Sequence, residues 1–267
     1  MIAQTATALV LAGRRDGITD PLASRAGVSH KCLVPVAGRP MLVHVVMALA
    51  ASDRIGEIRV AIEDPHVLED VAELAPLLAS GRLVPTCARP NLVDSVLAAA
   101  DGAAFPLFIT TADNVLLSAH AIAEMDEGCA ARQARAAVAF TRRESVLAAH
   151  AEGQRRFYRF ACGQYSNCNL YWLGDRGALA AAETFRSGGQ FVKYPRRIIA
   201  AFGLLNLIRF RFGIGTLAQA FTRFSRRLRL PIVPIVLSDG AVAIDVDNAR
   251  THAIAGSVLE GRQGKAV

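Results

Sequence analysis

The sequence holds few of the features that mark secreted, zinc-knuckle or membrane-spanning proteins. Its five cysteines (Cys32, Cys87, Cys129, Cys162 and Cys168) are odd in number, scattered, and form no CxxC pair. They carry no structural zinc signature and fit a reducing compartment, so a cytoplasmic protein is expected. No basic stretch precedes the first apolar run, so no secretory leader is expected. The longest uncharged apolar run, near residues 198–208, is about 11 residues long, against roughly 20 for a spanning helix. A transmembrane anchor is therefore not expected, although the mean hydropathy is +0.31. The six histidines are scattered and no Ser/His/Asp motif is evident. Acidic residues are missing altogether between Glu183 and Asp239, a stretch that holds ten Lys or Arg. Without those ten charges the net charge of +7 becomes −3. The basic excess is thus one local surface rather than a general nucleic-acid coat.

What is present is enough for a sizeable core. The 267 residues are 52% hydrophobic and 20% charged, which excludes a disordered chain. No repeat, low-complexity tract or linker divides them. The expected organisation is one domain over 1–267 with a basic insertion at 186–230. Short apolar runs fit for strands fall at 7–12, 58–62, 83–85, 106–111 and 136–140, and later at 157–160, 168–173, 232–237 and 241–244. Helical stretches fall between them at 40–51, 66–79, 91–100 and 118–131, then at 176–185 and 249–260. Residues 13–30 read as a long polar loop, and 261–267 as a frayed tail. Alternation of this kind predicts an α/β fold with a mostly parallel sheet.

Three segments carry chemistry. The first couples Leu9-Val-Leu-Ala-Gly-Arg-Arg-Asp-Gly17 with His30-Lys-Cys-Leu-Val-Pro-Val-Ala-Gly-Arg-Pro-Met-Leu42. A strand running into a glycine-containing loop brings backbone N–H groups close to phosphate oxygens, and Lys31 adds a point charge. The second is Phe108-Ile-Thr-Thr-Ala-Asp-Asn-Val-Leu-Leu117. Its strand delivers Asp113 to the carboxyl end of the sheet, where ligands of open α/β sheets bind; a turn or helix-cap role for Asp113 is the alternative. The third is Ala243-Ile-Asp-Val-Asp-Asn-Ala-Arg-Thr251. Strand alternation there places Asp245 and Asp247 on one side. Asp247 or Asn248 is equally suited to cap the last helix.

Together these segments resemble the nucleotidyltransferases with a MobA-like, GT-A-type fold, near the sugar- and polyol-phosphate cytidylyltransferases. Lys31, Leu33, Val36, Gly38, Pro40 and Met41 stand in the register of the family signature. Arg14-Arg15-Asp16 replaces a more glycine-rich loop, and His30 replaces the proline before the lysine. The resemblance implies a three-layer α/β/α sheet and Mg²⁺ held by Asp113 and Asp247. It implies a nucleotide, CTP favoured, held by Leu11, Ala12, Gly13, Arg14, Ser95 and Asp113, with Lys31 and Arg15 on its phosphates. Asn169 or Asn167, in Ser166-Asn-Cys-Asn-Leu-Tyr171, falls where the family lines the acceptor side, a buried Asn bonded to backbone being the alternative; Lys193 is placed toward the acceptor phosphate only because it opens the basic segment. The implied reaction moves an NMP from an NTP to a phosphorylated small alcohol, polyol or sugar and releases pyrophosphate. A GT-A glycosyltransferase using Asp-Val-Asp for its metal is the alternative, with the Lys31 segment weighing against it. A non-catalytic nucleotide-binding protein is the other.

The basic segment lies outside this machinery. Leu217, Ala218, Phe221, Phe224 and Leu228 recur at helical spacing among Arg223, Arg226, Arg227 and Arg229. A basic amphipathic helix suits an anionic membrane surface, which would place the protein at the inner face of the membrane through 191–230. Packing on the sheet or at a homodimer interface is the other reading. Nucleic acid is not an expected partner, because Phe210 and Phe212 read as packing residues rather than a stacking platform.

Overall fold

The computed structural model describes residues 5–14, 20–179 and 203–264. Strand β1 (Ala6–Leu11) is buried along most of its length and runs into the 12–14 loop. The 13–30 stretch is less loop-like than its polarity suggests. It contains α1 (Pro21–Ala26), whose N-cap Asp20 accepts hydrogen bonds from the N–H groups of Leu22 and Ala23, and which ends at left-handed Gly27. Pro21 and Gly27 are thus helix boundary signals at the first turn and just past the last, not breaks within a loop. A 3₁₀ turn (Lys31–Leu33) and a small ribbon of β2 (Pro35–Val36) and β3 (Arg39–Pro40) lead to α2 (Met41–Ala50). That helix buries Met41, Leu42, Val45, Val46 and Leu49.

β4 (Ile55–Ile62) follows. The expected helix at 66–79 is instead two 3₁₀ turns and the short α3 (Ala75–Ala79). Pro76 explains the break, because a proline lacks the N–H that a continuous helix needs there, while Pro65 merely opens the first turn. The rest of the first half is β5 (Leu83–Cys87), α4 (Leu92–Ala99), β6 (Leu107–Thr111) and α5 (Ala119–Ala131).

The second half contains β7 (Ala136–Arg142), α6 (Arg143–Ala149), β8 (Tyr158–Phe160) and β9 (Gly163–Leu173). The expected helix at 176–185 begins as a 3₁₀ turn (Arg176–Ala178), and its remainder from 180 lies outside the described residues. After it come α7 (Leu204–Arg211), α8 (Leu217–Leu228), β10 (Ile232–Leu237) and α9 (Ala249–Gly264). α9 continues to Gly264, beyond the expected frayed start at 261.

The main sheet has the order β10-β7-β9-β6-β1-β4-β5, with β8 added to β9. β9 is antiparallel to β6, β7 and β8, and the other pairings are parallel. β1 sits between β4 and β6, so the carboxyl ends of three parallel strands open on one crevice, with connections leaving to both sides. The central strands are continuous apolar runs because both of their faces are covered; Ala8, Leu9, Val10, Ile58, Val60 and Phe108 are fully buried. A 3₁₀ turn (Gly240–Ala243), capped by the Asp239 side chain, replaces the strand expected at 241–244. Gly240 lies so close to α6 that a Cβ there would run into the backbone of Ser145. This close approach, rather than strand pairing, positions the two following aspartates.

Candidate active site

Lys31 is presented by its 3₁₀ turn, closed by bonds from Leu33 N–H to the His30 carbonyl at 3.0 Å and from Val34 N–H to the Lys31 carbonyl at 3.0 Å. Its ammonium donates to Asp113 Oδ2 at 2.8 Å and to Asp247 Oδ1 at 3.4 Å. Residues far apart in sequence are thereby brought to one point at the crevice. Burial alone would depress the Lys31 ammonium, but the charges and hydrogen bonds of Asp113 and Asp247 offset it, and its pKa is raised.

Asp113 sits in the turn after β6. Asn114 fixes that turn, donating to Thr110 Oγ1 at 3.2 Å and to the Cys168 carbonyl at 2.9 Å. Ser118, not Asp113, caps α5. The same division of labour holds at the other aspartate. Asn248 Oδ1 accepts from the N–H groups of Arg250 and Thr251 at the start of α9. Thr251 Oγ1 accepts from Asp247 N–H at 2.9 Å. Asp247 therefore keeps its carboxylate for Lys31 and solvent, with its side chain 69% exposed.

Asp245 joins the cluster, and its role there was not anticipated beyond its side of the segment. Its Oδ2 accepts from Asn169 Nδ2 at 2.8 Å, and burial, then the charges of Asp113 and Asp247, push its pKa well above the usual carboxylate range. Asn169 reaches it from an irregular point in β9: its φ of 45° is left-handed, and the β7–β9 register shifts there. The preceding Asn167 supports this kink, accepting from Asn169 N–H at 3.1 Å and donating to the Tyr171 hydroxyl at 2.9 Å.

The loop after β1 forms the other wall. Leu11 and Ala12 are held by the sheet: the Leu11 carbonyl accepts from Ala112 N–H at 3.0 Å, and Ala12 N–H donates to the Ala61 carbonyl at 2.9 Å. Gly13 is needed for close approach, since a Cβ there would lie 3.0 Å from Glu63 Oε1 and 3.4 Å from Ala88 Cβ. Arg14 N–H donates to the Glu63 carboxylate. Glu63 thus occupies one of the loop's anion-binding donors, a contact the sequence reading missed. His30 is buried beneath, with Nδ1 2.9 Å from Ser29 Oγ and Nε2 3.9 Å from Glu63 Oε2. Its pKa is lowered, first by burial and then by Arg14. Ser95, implied as a nucleotide contact, lies inside α4, whose N-cap is Asn91. The Ser95 hydroxyl is spent on the loop before it, accepting from Arg89 N–H at 2.8 Å and facing the carbonyls of Arg89 and Asn91. Arg15 and Lys193 lie outside the described residues.

The donor set suits a hard cation completed by a ligand. Asp113 Oδ1 and Asp245 Oδ1 are buried without a hydrogen-bond partner, and such oxygens call for a partner. Among the described residues no three His, Cys, Asp or Glu side chains are gathered to hold an ion by themselves. Mg²⁺ fits that pattern, because it takes one or two carboxylates and fills its remaining positions with water and substrate phosphates. A separate apolar groove of about 770 Å³ between α8 and β10 contains none of these carboxylates.

Comparison with known proteins agrees with the geometry. A hypothetical transferase from Thermus thermophilus superposes with a TM-score of 0.76 at 24% identity, over 93% of this chain and 99% of that one. A CMP:2-keto-3-deoxy-manno-octonic acid synthetase solved with CTP gives 0.57 at 13% identity, over 97% and 100%. The 4-diphosphocytidyl-2C-methyl-D-erythritol synthase of Anaerococcus prevotii gives 0.58 at 11% identity, over 96% and 99%. No curated protein sequence matches the chain. The model of the MobA-like NTP transferase domain matches residues 8–206, most of the catalytic sheet. The chain belongs to the MobA-like NTP transferase domain family and is a nucleotidyltransferase.

Proposed function

We propose that the protein transfers CMP from CTP, with Mg²⁺, to the phosphate of a small alcohol, polyol or sugar and releases pyrophosphate. The observation that carries this reading is the Lys31 ammonium bridging Asp113 and Asp247 beside two orphaned carboxylate oxygens, at the carboxyl ends of β1 and β6. Cytidine is favoured because two of the structural neighbours are, by name, a CTP-bound CMP-sugar synthetase and a diphosphocytidyl synthase.

Asp113 and Asp247 would hold the metal, with Asp245 behind them. Bound there, Mg²⁺ would offset phosphate charge and orient the triphosphate. The chain's own groups do the rest. Gly13 and Arg14 would offer backbone N–H groups to phosphate oxygens, that of Arg14 once Glu63 yields, while the Ala12 N–H stays on the Ala61 carbonyl. Lys31 turns from its carboxylates toward the phosphates and stabilises charge that grows as the α–β bond breaks. An oxygen of the acceptor phosphate forms the new bond to the α-phosphorus, and the bond to the β-phosphate breaks with its electrons leaving on pyrophosphate. A phosphate nucleophile is already anionic, so no protein base is required. Catalysis rests on positioning and charge neutralisation. Asn169, anchored on Asp245, would contact the acceptor.

The test is pyrophosphate release from a panel of the four NTPs against phosphorylated glycerol, pentitols, hexoses and amino alcohols. CTP with Mg²⁺ and one acceptor class should give turnover, and Asp113→Ala and Asp247→Ala should each reduce it by about 10² or more. No release from any NTP, together with no Mg²⁺-dependent NTP binding, would refute the reading.

A further inference from the structure

The site described above does not use α7 or α8. α7 has no fully buried residue. It rests on β8 through Phe210, whose ring centroid lies 5.4 Å from that of Tyr158 and 5.7 Å from that of Phe160. Leu204, Leu205 and Ile208 are exposed on α7, and just past its end so are Phe212 and Ile214, with Leu205 at 71% and Phe212 at 72%. Positions 205, 208 and 212 share one side at helical spacing. Single exposed apolar residues are ordinary on a soluble surface, but five within eleven positions form a patch that calls for a partner.

The charge around the patch says which partner. Arg209 and Arg211 are exposed on α7, and Arg226 is exposed on α8. Burial, and then the neighbouring charge of Arg209, lower the pKa of Arg223, so cations crowd here. A second stretch of chain adds to the same sign: Arg159, exposed on β8, has its backbone against Gly213, directly after Phe212. No Asp or Glu occurs anywhere in 184–238. A two-fold contact between copies of this patch would set arginine against arginine with no local acid to pair. No helix among the described residues is long and apolar enough to cross a membrane, so an apolar face rimmed by cations has the form of a surface anchor.

We propose that α7 and residues 212–214 dock the protein on an anionic lipid bilayer, with Leu205, Ile208 and Phe212 entering the interface and the flanking arginines meeting the head groups. The test is co-sedimentation of the full chain with vesicles of phosphatidylcholine alone and of phosphatidylcholine with phosphatidylglycerol. It is run at low and high salt, where the Debye length falls from roughly 30 Å at 0.01 M to 3 Å at 1 M. Binding should require phosphatidylglycerol and weaken sharply at high salt. Leu205→Glu with Phe212→Glu should abolish it. Arg209→Gln with Arg211→Gln, which leaves the apolar face intact, should weaken it about thirtyfold, on the order of fivefold per charge. Circular dichroism should be unchanged for both variants, and so should pyrophosphate release in the absence of lipid. The proposal fails if the wild-type chain does not sediment with anionic vesicles at low salt, or binds neutral ones equally. It fails also if both double variants bind as well as the wild type. A concentration-dependent dimer that the Leu205→Glu, Phe212→Glu variant converts to monomer, with vesicle binding unaltered, would assign the face to a second copy instead.

Discussion

Lys31→Met isolates the electrostatics of the site. Lys31 is the counter-ion that the structure itself supplies to Asp113 and Asp247, at 2.8 and 3.4 Å. For the shorter pair the direct attraction is about 6 kcal/mol at an effective dielectric of about 20, and about 1.5 kcal/mol in bulk water. Desolvation cancels much of it. Side-chain exposure of 24% for Lys31 and 21% for Asp113 places the pair between surface and buried cases. Breaking an exposed pair costs about 0–1 kcal/mol and a buried one about 3–5. About 2 kcal/mol is therefore expected, a drop of roughly 4–8 °C in Tm for a chain of this size. The loss should appear in EDTA, where the methionine side chain leaves the carboxylates facing each other without a cation. Mg²⁺ at a hundredfold excess over its dissociation constant should then stabilise the variant by about 2.7 kcal/mol and the wild type by less, while nucleotidyl transfer is lost. Differential scanning fluorimetry over a Mg²⁺ titration reads both effects. Equal Tm values for the two proteins in EDTA, or equal Mg²⁺ shifts, would refute the idea that lysine and metal serve the same carboxylates.

Other substitutions probe neighbouring parts of the site. Asp245 has a folded pKa raised well above that of the unfolded chain, so the folded state binds more protons. Metal-free wild-type stability should fall as pH rises above about 4, at no more than about 1.4 kcal/mol per unit, until the folded pKa is passed. Asp245→Asn keeps an acceptor for Asn169 and should remove that slope, and identical denaturation curves across pH 4–8 would contradict the burial argument. Glu63→Ala frees Arg14 N–H from an internal anion and should lower KM for the NTP, whereas a raised KM would mean that Glu63 serves the nucleotide directly. Gly240→Ala forces a methyl group into the Ser145 backbone and should cost about 1–3 kcal/mol in urea unfolding; unchanged stability would show that the 240–243 turn moves freely.

Much of this arrangement could be read from the residues. The apolar runs of β1, β4 and β6 are short, continuous and separated by helical stretches, which is what two-sided burial in a parallel sheet demands. The strand before Asp113 placed that residue at the sheet's carboxyl edge, whereas bringing Lys31 and Asp247 to it across long sequence distances was what the family resemblance implied. What was hidden depended on tertiary contact. Strand alternation put Asp245 beside Asp247, but Gly240 packed on α6 makes that stretch a 3₁₀ turn, and only the fold shows Asp245 buried against Asn169. Asn169 itself needs the β9 irregularity to reach it. Ser95, which the resemblance placed on the nucleotide, spends its hydroxyl on backbone. Glu63 belongs to none of the motifs. It becomes visible only when β4 is laid beside β1 in parallel register and its end reaches the Gly13 loop.

The most direct test of the central claim is a crystal structure with CTP and Mn²⁺ in place of Mg²⁺, with the metal located by anomalous scattering. A peak is expected at about 2.1 Å from the Asp113 and Asp247 carboxylates, with the triphosphate on the 12–14 loop and Lys31 turned toward it. A nucleotide and metal bound away from Asp113, with the Lys31–Asp113 pair left closed, would contradict it.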